Sequence, residues 1–345
     1  MPATKSKPEA AVKQQSGLQK FMAIPGMASV ITAFAGVVIL MVIFAMMNRN
    51  FMGKNNLMSL SRSIVPYLLV GIGQGIVCIT GNIDLSIGSV LGMSAMISAT
   101  LICNGVNPIV AVIVDLVACL AVGVVNGILV GKFKLPPFIG TLGTMTICRG
   151  LAELANGNYN TGDIGNAPMA QGLRNLFYYG RVGVVYSGVI VALIIWFVFN
   201  YIMSYTRMGR HIYAIGSNVD AARLSGVDVF KTTTAAYLIS AFCSCVAGLV
   251  VMAAAGMGSM QAGMSYEMYG VAAAVIGGIS TLGGSGLLVG VIAGASVWAI
   301  LQNGLNMASV PVAMRNIIIG IIVVACVLLD IMRRSGIKIG GKKKA

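Results

Sequence analysis

Charge is what this sequence has least of. Asp, Glu, Lys and Arg together make up 9% of its 345 residues, against about 25% in an ordinary soluble domain. With 57% hydrophobic residues and a mean hydropathy of +0.90, that excludes a large water-facing part and indicates one membrane-embedded domain. Histidine is limited to His211, so no histidine centre can be assembled within the apolar runs. The cysteines (Cys78, Cys103, Cys119, Cys148, Cys243, Cys245 and Cys326) are odd in number, form no C-x-x-C pair and lie almost all in apolar stretches. A disulfide framework or metal site is therefore not expected, and they read as small packing residues. No G-x-x-x-x-G-K-S/T motif occurs: Gly131-Lys132 runs into Phe133. The chain thus carries no phosphate loop of its own. Paired carboxylates are also missing, which leaves little for a membrane-embedded enzyme to work with.

The apolar runs form a series. They fall at about 28–47, 63–80, 86–104, 108–130, 136–154, 183–203, 232–255, 268–282, 286–305 and 313–331. A run of about 20 residues can cross a bilayer as a helix, so the expected fold is an all-α polytopic membrane protein with about ten transmembrane helices. The first run is too long for a typical signal-peptide core and reads as an uncleaved anchor. The 268–282 run is short and glycine-rich, as a broken or tilted segment would be. Residues 1–20 read as a disordered polar tail, 21–331 as the membrane domain, and 332–345 as a basic tail.

The net charge of +14 could suggest nucleic acid. The basic residues, however, sit in tails and in loops between spans rather than on one face, so no nucleic-acid partner is expected. Their distribution follows the positive-inside rule with both termini cytoplasmic. Lys132, Lys134, Arg207, Arg210, Arg223, Lys231 and both tails then lie inside, and Arg174, Arg181 and Arg315 outside. Arg49, Lys54 and Arg62 fit poorly on the outer side. They would lie flat in the headgroup layer, or the first span is misdrawn. The long outer segment Leu154–Val182 ends in Phe177, Tyr178 and Tyr179, either as an interfacial anchor or as part of a surface for an external partner.

Between the sixth and seventh spans lies a polar, basic island, RMGRHIYAIGSNVDAARLSG, from Arg207 to Gly226. Ser217 and Asp220 have capping-box spacing. Ala221, Ala222, Arg223 and Leu224 favour helix, and Gly226 stands where a helix ends left-handed. The expectation is a helix of about two turns, with Leu224 and Val227 on its apolar side and Asp220 and Arg223 on its polar side. So short a helix needs a surface to dock on.

Two further patterns stand out. Gly81-Asn82-Ile83-Asp84-Leu85-Ser86-Ile87-Gly88-Ser89 is echoed by Gly277-Gly278-Ile279-Ser280-Thr281-Leu282-Gly283-Gly284-Ser285, with Gly, Ile, Gly and Ser at one constant offset. This points to a two-half internal repeat whose irregular backbone lines a pathway. Glycines four apart (Gly71/Gly75, Gly123/Gly127/Gly131, Gly286/Gly290/Gly294) make strips for close helix packing. Charges within spans cost roughly 2.5–3.5 kcal/mol each and need a reason. Arg149 and Glu153 are spaced to pair. Asp115 either pairs with Arg149 or lines the pathway. Asp84 is placed to N-cap the following helix, with substrate contact as its alternative role, and Glu267 starts a helix whose N-terminus would favour it.

Asp220-Ala221-Ala222 followed after three residues by Gly226 resembles the E-A-A-x-x-x-G signature of ABC importer permeases. The longer run Ala221–Val227, together with Gly81–Ser89, Pro137–Thr144, Tyr266–Gly278 and Asn303–Leu305, resembles the ribose/xylose/galactoside-type sugar permeases. The resemblance covers about residues 50–330. Asn82 departs from the glycine commoner there, and the later I-x-L-P part of the signature is absent. The resemblance implies an inner-membrane subunit that passes a simple sugar from an extracytoplasmic sugar-binding protein. It implies a second copy of the chain, and a separate ABC ATPase subunit that holds ATP-Mg and grips Ser217 and Asp220 to Gly226, Ser225 included. No cofactor is expected in this chain. A branched-chain amino acid permease and an ion-coupled secondary transporter remain as alternatives.

Overall fold

The structure, a computed structural model, describes residues 26–167 and 170–334. Residues 1–20 and 335–345 of the expected tails lie outside the described residues. The apolar runs become helices α1 (Met27–Met47), α2 (Lys54–Ile79), α3 (Ile87–Cys103), α4 (Pro108–Gly127) and α5 (Pro137–Leu154). After a connecting segment with one short helix, α6 (Ala170–Arg174), and a small antiparallel hairpin, β1 (Arg181–Val182) with β2 (Val185–Tyr186), come α7 (Ser187–Tyr205), α8 (Arg207–Ser217) and α9 (Val219–Leu224). The chain finishes with α10 (Val229–Ala255), α11 (Tyr266–Ile276), α12 (Leu288–Met307) and α13 (Val312–Arg334). Ten of these match the ten apolar runs. Among the described residues six are long and apolar enough to cross a membrane on those grounds alone: α1, α2, α4 with its π-turn extension to Lys132, α7, α10 and α12. The all-α polytopic architecture expected from the sequence is the observed one.

Two ends differ from expectation. The second helix starts at Lys54, not near 63. At 26 residues and about 1.5 Å per residue it is ~39 Å long, longer than the ~30 Å hydrocarbon layer. Lys54 therefore rides on a projecting helix end rather than lying flat, and Arg62, two turns further in, packs over the rings of Tyr178 and Tyr186. The final helix runs to Arg334, three residues past its expected end. The short eighth segment is helical only over Tyr266–Ile276, ~16 Å by the same rise. Irregular backbone flanks it on either side, much of it packed against protein, with Met264 and Leu282 exposed.

α10 and α2 form the centre: α10 packs on α2, α3 and α4, while α2 also packs on α11 and α12. The glycine strips are where these helices approach. A Cβ at Gly127 would stand 2.7 Å from the Cα of Thr234, and one at Gly123 2.9 Å from the Cβ of Ala241, both on α10. The α1, α4, α5, α7 and α13 surfaces carry exposed apolar side chains, among them Val38, Val117, Ile147, Phe197 and Ile321.

The helices alternate in direction between two ends of the bundle. At one end, the turn after α2, the segment after α11 and the α8–α9 island come together, with the start of α1 beside Leu287. At the other, Asn48 reaches the carbonyl of Met307 (3.2 Å), and Thr161 and Ile164 bond to the backbone of Gly258 and Gly256.

Candidate functional site

The island is built on a buried apolar face. α8, not expected from the sequence as a separate helix, buries Ile212 and Ile215 and leaves Arg207 and Arg210 exposed. Tyr213 donates to the carbonyl of Gly286 at 2.7 Å, tying α8 to the segment after α11. Burial pushes the Tyr213 phenol above its ordinary pKa.

The expected capping box is shifted by one residue. Ser217 is the last residue of α8 and donates to the Tyr213 carbonyl (2.9 Å), so it cannot cap α9. Asn218 caps α9 instead, its Oδ1 accepting the amide of Ala221 at 2.9 Å. Asp220 pairs with Arg223 at 3.4 Å on the exposed side. The helix stops as expected: Gly226 has φ +84°, its N–H donates to Arg223 and that of Val227 to Ala222, a Schellman closure.

The apolar side also needs correcting. Ala222 and Val227 pack with Ile215, but Leu224 is 91% exposed. Leu224 thus presents its side chain outward from the tip of a six-residue helix, away from the island's own core. Ala221 and Ser225 are exposed beside it, the Ser225 hydroxyl donating to the Ala221 carbonyl.

Beside the island opens a groove of about 960 Å³, lined by Thr80–Asn82, Val130, Gly131, Lys134, residues 215–220 and residues 227–230. The two repeat motifs meet at its edge. The Gly284 amide donates to the carbonyl of Ile79 at 2.9 Å. Gly283, at φ +92°, lies so close that a Cβ there would come within 2.9 Å of the Gly81 Cα. Gly81 (φ +80°) and Gly278 (φ +89°) also need left-handed backbone, and Gly277 packs on Gly290.

Asp84 is buried and does not N-cap the following helix. Its Oδ1 accepts the amide (2.9 Å) and hydroxyl (2.6 Å) of Ser86, and Oδ2 accepts the Ser240 hydroxyl at 2.6 Å. α3 starts only at Ile87, because the Asp84 carboxylate closes a turn ahead of it. Ser86 accepts from Asn126, Asn126 from Thr144, and Leu85 donates to Thr141. This network ties the first repeat motif to α4, α5 and α10. Gly88 lets Glu267, in the first turn of α11, come against α3.

Asp115 pairs with no arginine. It is fully buried and accepts from Ser94 (2.6 Å), Cys119 and Cys245 (3.5 Å each). Sequence spacing could not show this cluster, because Cys245 comes from another helix. Arg149 does not pair with Glu153, which is exposed. It donates to the carbonyls of Ala262 (2.8 Å) and Met260 (3.3 Å), acceptors left open by the break between α10 and α11. Among the described residues the ion pairs are Asp220–Arg223 and Asp228–Lys231.

A bundle of ten apolar helices with broken segments and a polar, basic face at one end is the frame of a multi-pass membrane protein. The chain belongs to the family described as branched-chain amino acid transport system / permease component, whose model matches residues 56–327. It is 34% identical over 313 residues to the ribose import permease protein of Bacillus subtilis (strain 168), covering 90% of this chain and 96% of that one. It is 34% identical over 288 residues to the D-allose transport system permease protein of Escherichia coli (strain K12), covering 81% and 84%. It is 30% identical over 300 residues to the autoinducer 2 import system permease protein of Escherichia coli O9:H4 (strain HS), covering 87% and 86%. No solved structure matches the chain.

Proposed function

We propose that this chain is the membrane-spanning permease subunit of an ATP-binding-cassette importer in a bacterial plasma membrane, and that it moves a simple sugar. The observation that carries the coupling part is the island. A rigidly capped short helix presents Leu224, Asp220 and Arg223 outward beside a groove whose rim joins both repeat motifs. Force applied to α9 has a direct route through Ser217, Gly216 and Gly283 into the two broken segments. A separate ATPase subunit seated here, holding ATP-Mg, supplies the energy. A binding protein at the opposite end delivers the sugar, and two copies of the chain enclose the pathway. The termini lie on the ATPase side.

Sugar is favoured over branched-chain amino acids because the relatives that align along most of the chain are named for ribose and D-allose. An ion-coupled carrier is disfavoured because Asp115, the carboxylate it would use, is engaged by Ser94 and two thiols.

Affinity purification from the native membrane tests the assembly. A stoichiometric partner with a P-loop ATPase domain is expected; a stable chain that comes down alone overturns it. Leu224→Asp or Arg223→Glu should abolish uptake with membrane abundance unchanged, and preserved uptake would sink the coupling role.

A further inference from the structure

At the end of the bundle opposite the island, a cavity of about 420 Å³ opens among α2, the end of α10, the start of α11 and the segment around Tyr178. That volume is within the ~300–1,000 Å³ of small-molecule sites. Its polar lining is Arg62, Ser63, Tyr67, Tyr178 and Tyr266; the end of α10 contributes an aliphatic floor. No carboxylate lines it. The Arg62 guanidinium lies over the rings of Tyr178 (4.7 Å) and Tyr186 (4.3 Å), and its Nε is buried with no hydrogen-bond partner.

An aromatic and polar file continues inward. Tyr67 stacks on Tyr266 (5.5 Å, 13° between planes) and meets Tyr269 edge-on at 5.7 Å, and Tyr269 packs on Trp298 at 4.9 Å. Gln74 lies two helical turns beyond Tyr67 on the same face of α2. Gln74 and Trp298 are both fully buried, yet Gln74 Oε1 and Trp298 Nε1 have no partner. A buried donor or acceptor left unpaired costs about 1–3 kcal/mol. Of the three, the Arg62 Nε belongs to a residue that lines the cavity, while Gln74 and Trp298 lie deeper, sealed within the bundle.

We propose that this cavity, backed by the file beneath it, forms an entry subsite for a neutral monosaccharide, used as the sugar leaves its delivery protein. This deepens, and rests on, the importer reading. A sugar ring has C–H faces for the tyrosines and hydroxyl oxygens for a donor that has no acceptor capacity of its own, as guanidinium has. Its hydroxyls can also donate to the phenol oxygens of Tyr67, Tyr178 and Tyr266. A lipid chain would satisfy the aliphatic floor and leave the Arg62 Nε unpaired.

The test uses the complete importer in proteoliposomes, with D-ribose, D-allose, D-xylose and D-galactose as probes. At saturating loaded binding protein, Arg62→Ala and Tyr178→Ala should lower sugar uptake about tenfold or more, as loss of a charge-assisted contact does. ATP hydrolysis stimulated by the binding protein should stay at the wild-type rate. Uptake and hydrolysis falling together, or neither falling, overturns the subsite. If Arg62→Ala fails to accumulate, Ser63→Cys in a Cys103→Ser background carries the test. Its reaction with a water-soluble maleimide should slow in the presence of the transported sugar. Labelling that ignores all four sugars but is suppressed by added phospholipid assigns the cavity to lipid and overturns the proposal. A wild-type importer that moves none of the four sugars removes the sugar reading itself, and the subsite with it.

Discussion

Asp84 sits at the centre of a buried hydrogen-bond network. Its two oxygens hold one amide and two hydroxyls inside the bundle. Asp84→Ala leaves the three donors buried and unpaired, at about 1–3 kcal/mol per orphaned group. The purified variant should show a clear loss of thermal midpoint, with Asp84→Asn intermediate; a midpoint equal to wild type would show that the network is not structural. Asp228 is the counterpart at the water surface. Its Oδ1 accepts the Lys231 amide at 3.0 Å, and chiefly this bond holds its carboxyl below the ordinary aspartate pKa. A group lowered in the folded state stabilises above its unfolded pKa, and that contribution disappears as pH falls through the lowered value. Hydrogen exchange in the first turn of α10 should therefore quicken, relative to the rest of that helix, on acidification below the usual carboxylate range. In Asp228→Asn, which still caps, that acid-dependent step should be absent.

At the scale of elements, what could be read from the sequence depended on how local the signal was. Ten apolar runs became ten helices because length and hydropathy are properties of each run alone. The α9 stop was legible because Gly226 is a local signal for left-handed backbone. Its start falls one residue away from the expected place because Ser217 and Asn218 are both good caps, and the choice is made by the Tyr213 carbonyl, which takes the Ser217 hydroxyl. The partners of Arg149 were not legible at all, since they are backbone carbonyls more than 110 residues away. The spacing that suggested Glu153 was real but had a stronger competitor. α8 was legible in principle: Met208, Ile212 and Ile215 share a helical face, but within a polar island that stripe is a weak signal. The glycine strips carry a direct prediction. Gly127→Val would drive a branched side chain into the Thr234 backbone and side chain of α10, and overpacking costs about 1–3 kcal/mol or more. Membrane abundance should fall sharply, while Gly143→Ala, with open space around it, should accumulate normally. Equal abundance of the two variants would remove the α4–α10 contact from the account of the fold.

For the whole molecule, the decisive feature is that the helices alternate between two ends that differ chemically. The island end gathers Lys132, Lys134, Arg207, Arg210, Arg223 and Lys231 as exposed charge, with Lys134 and Arg223 lining the groove. The opposite end also holds arginines, which by charge alone made the orientation ambiguous. There, however, Arg62 and Arg181 lie over Tyr186, and Arg174 lies over Tyr179. Each is committed to an aromatic ring, as side chains at a membrane interface often are, so these arginines weigh less in setting orientation than free loop charges. The expected orientation therefore has the island end facing the cytoplasm. Leu224→Cys and Val184→Cys, exposed at opposite ends (91% and 81%), report it in a Cys103→Ser background. In intact cells a membrane-impermeant maleimide should label Val184→Cys at once and Leu224→Cys only after permeabilisation. The reverse order would place the island outside, where no ATPase could reach it, and would remove the physical basis for energy coupling through α9. Labelling of both from outside would instead break the alternation of the ten helices.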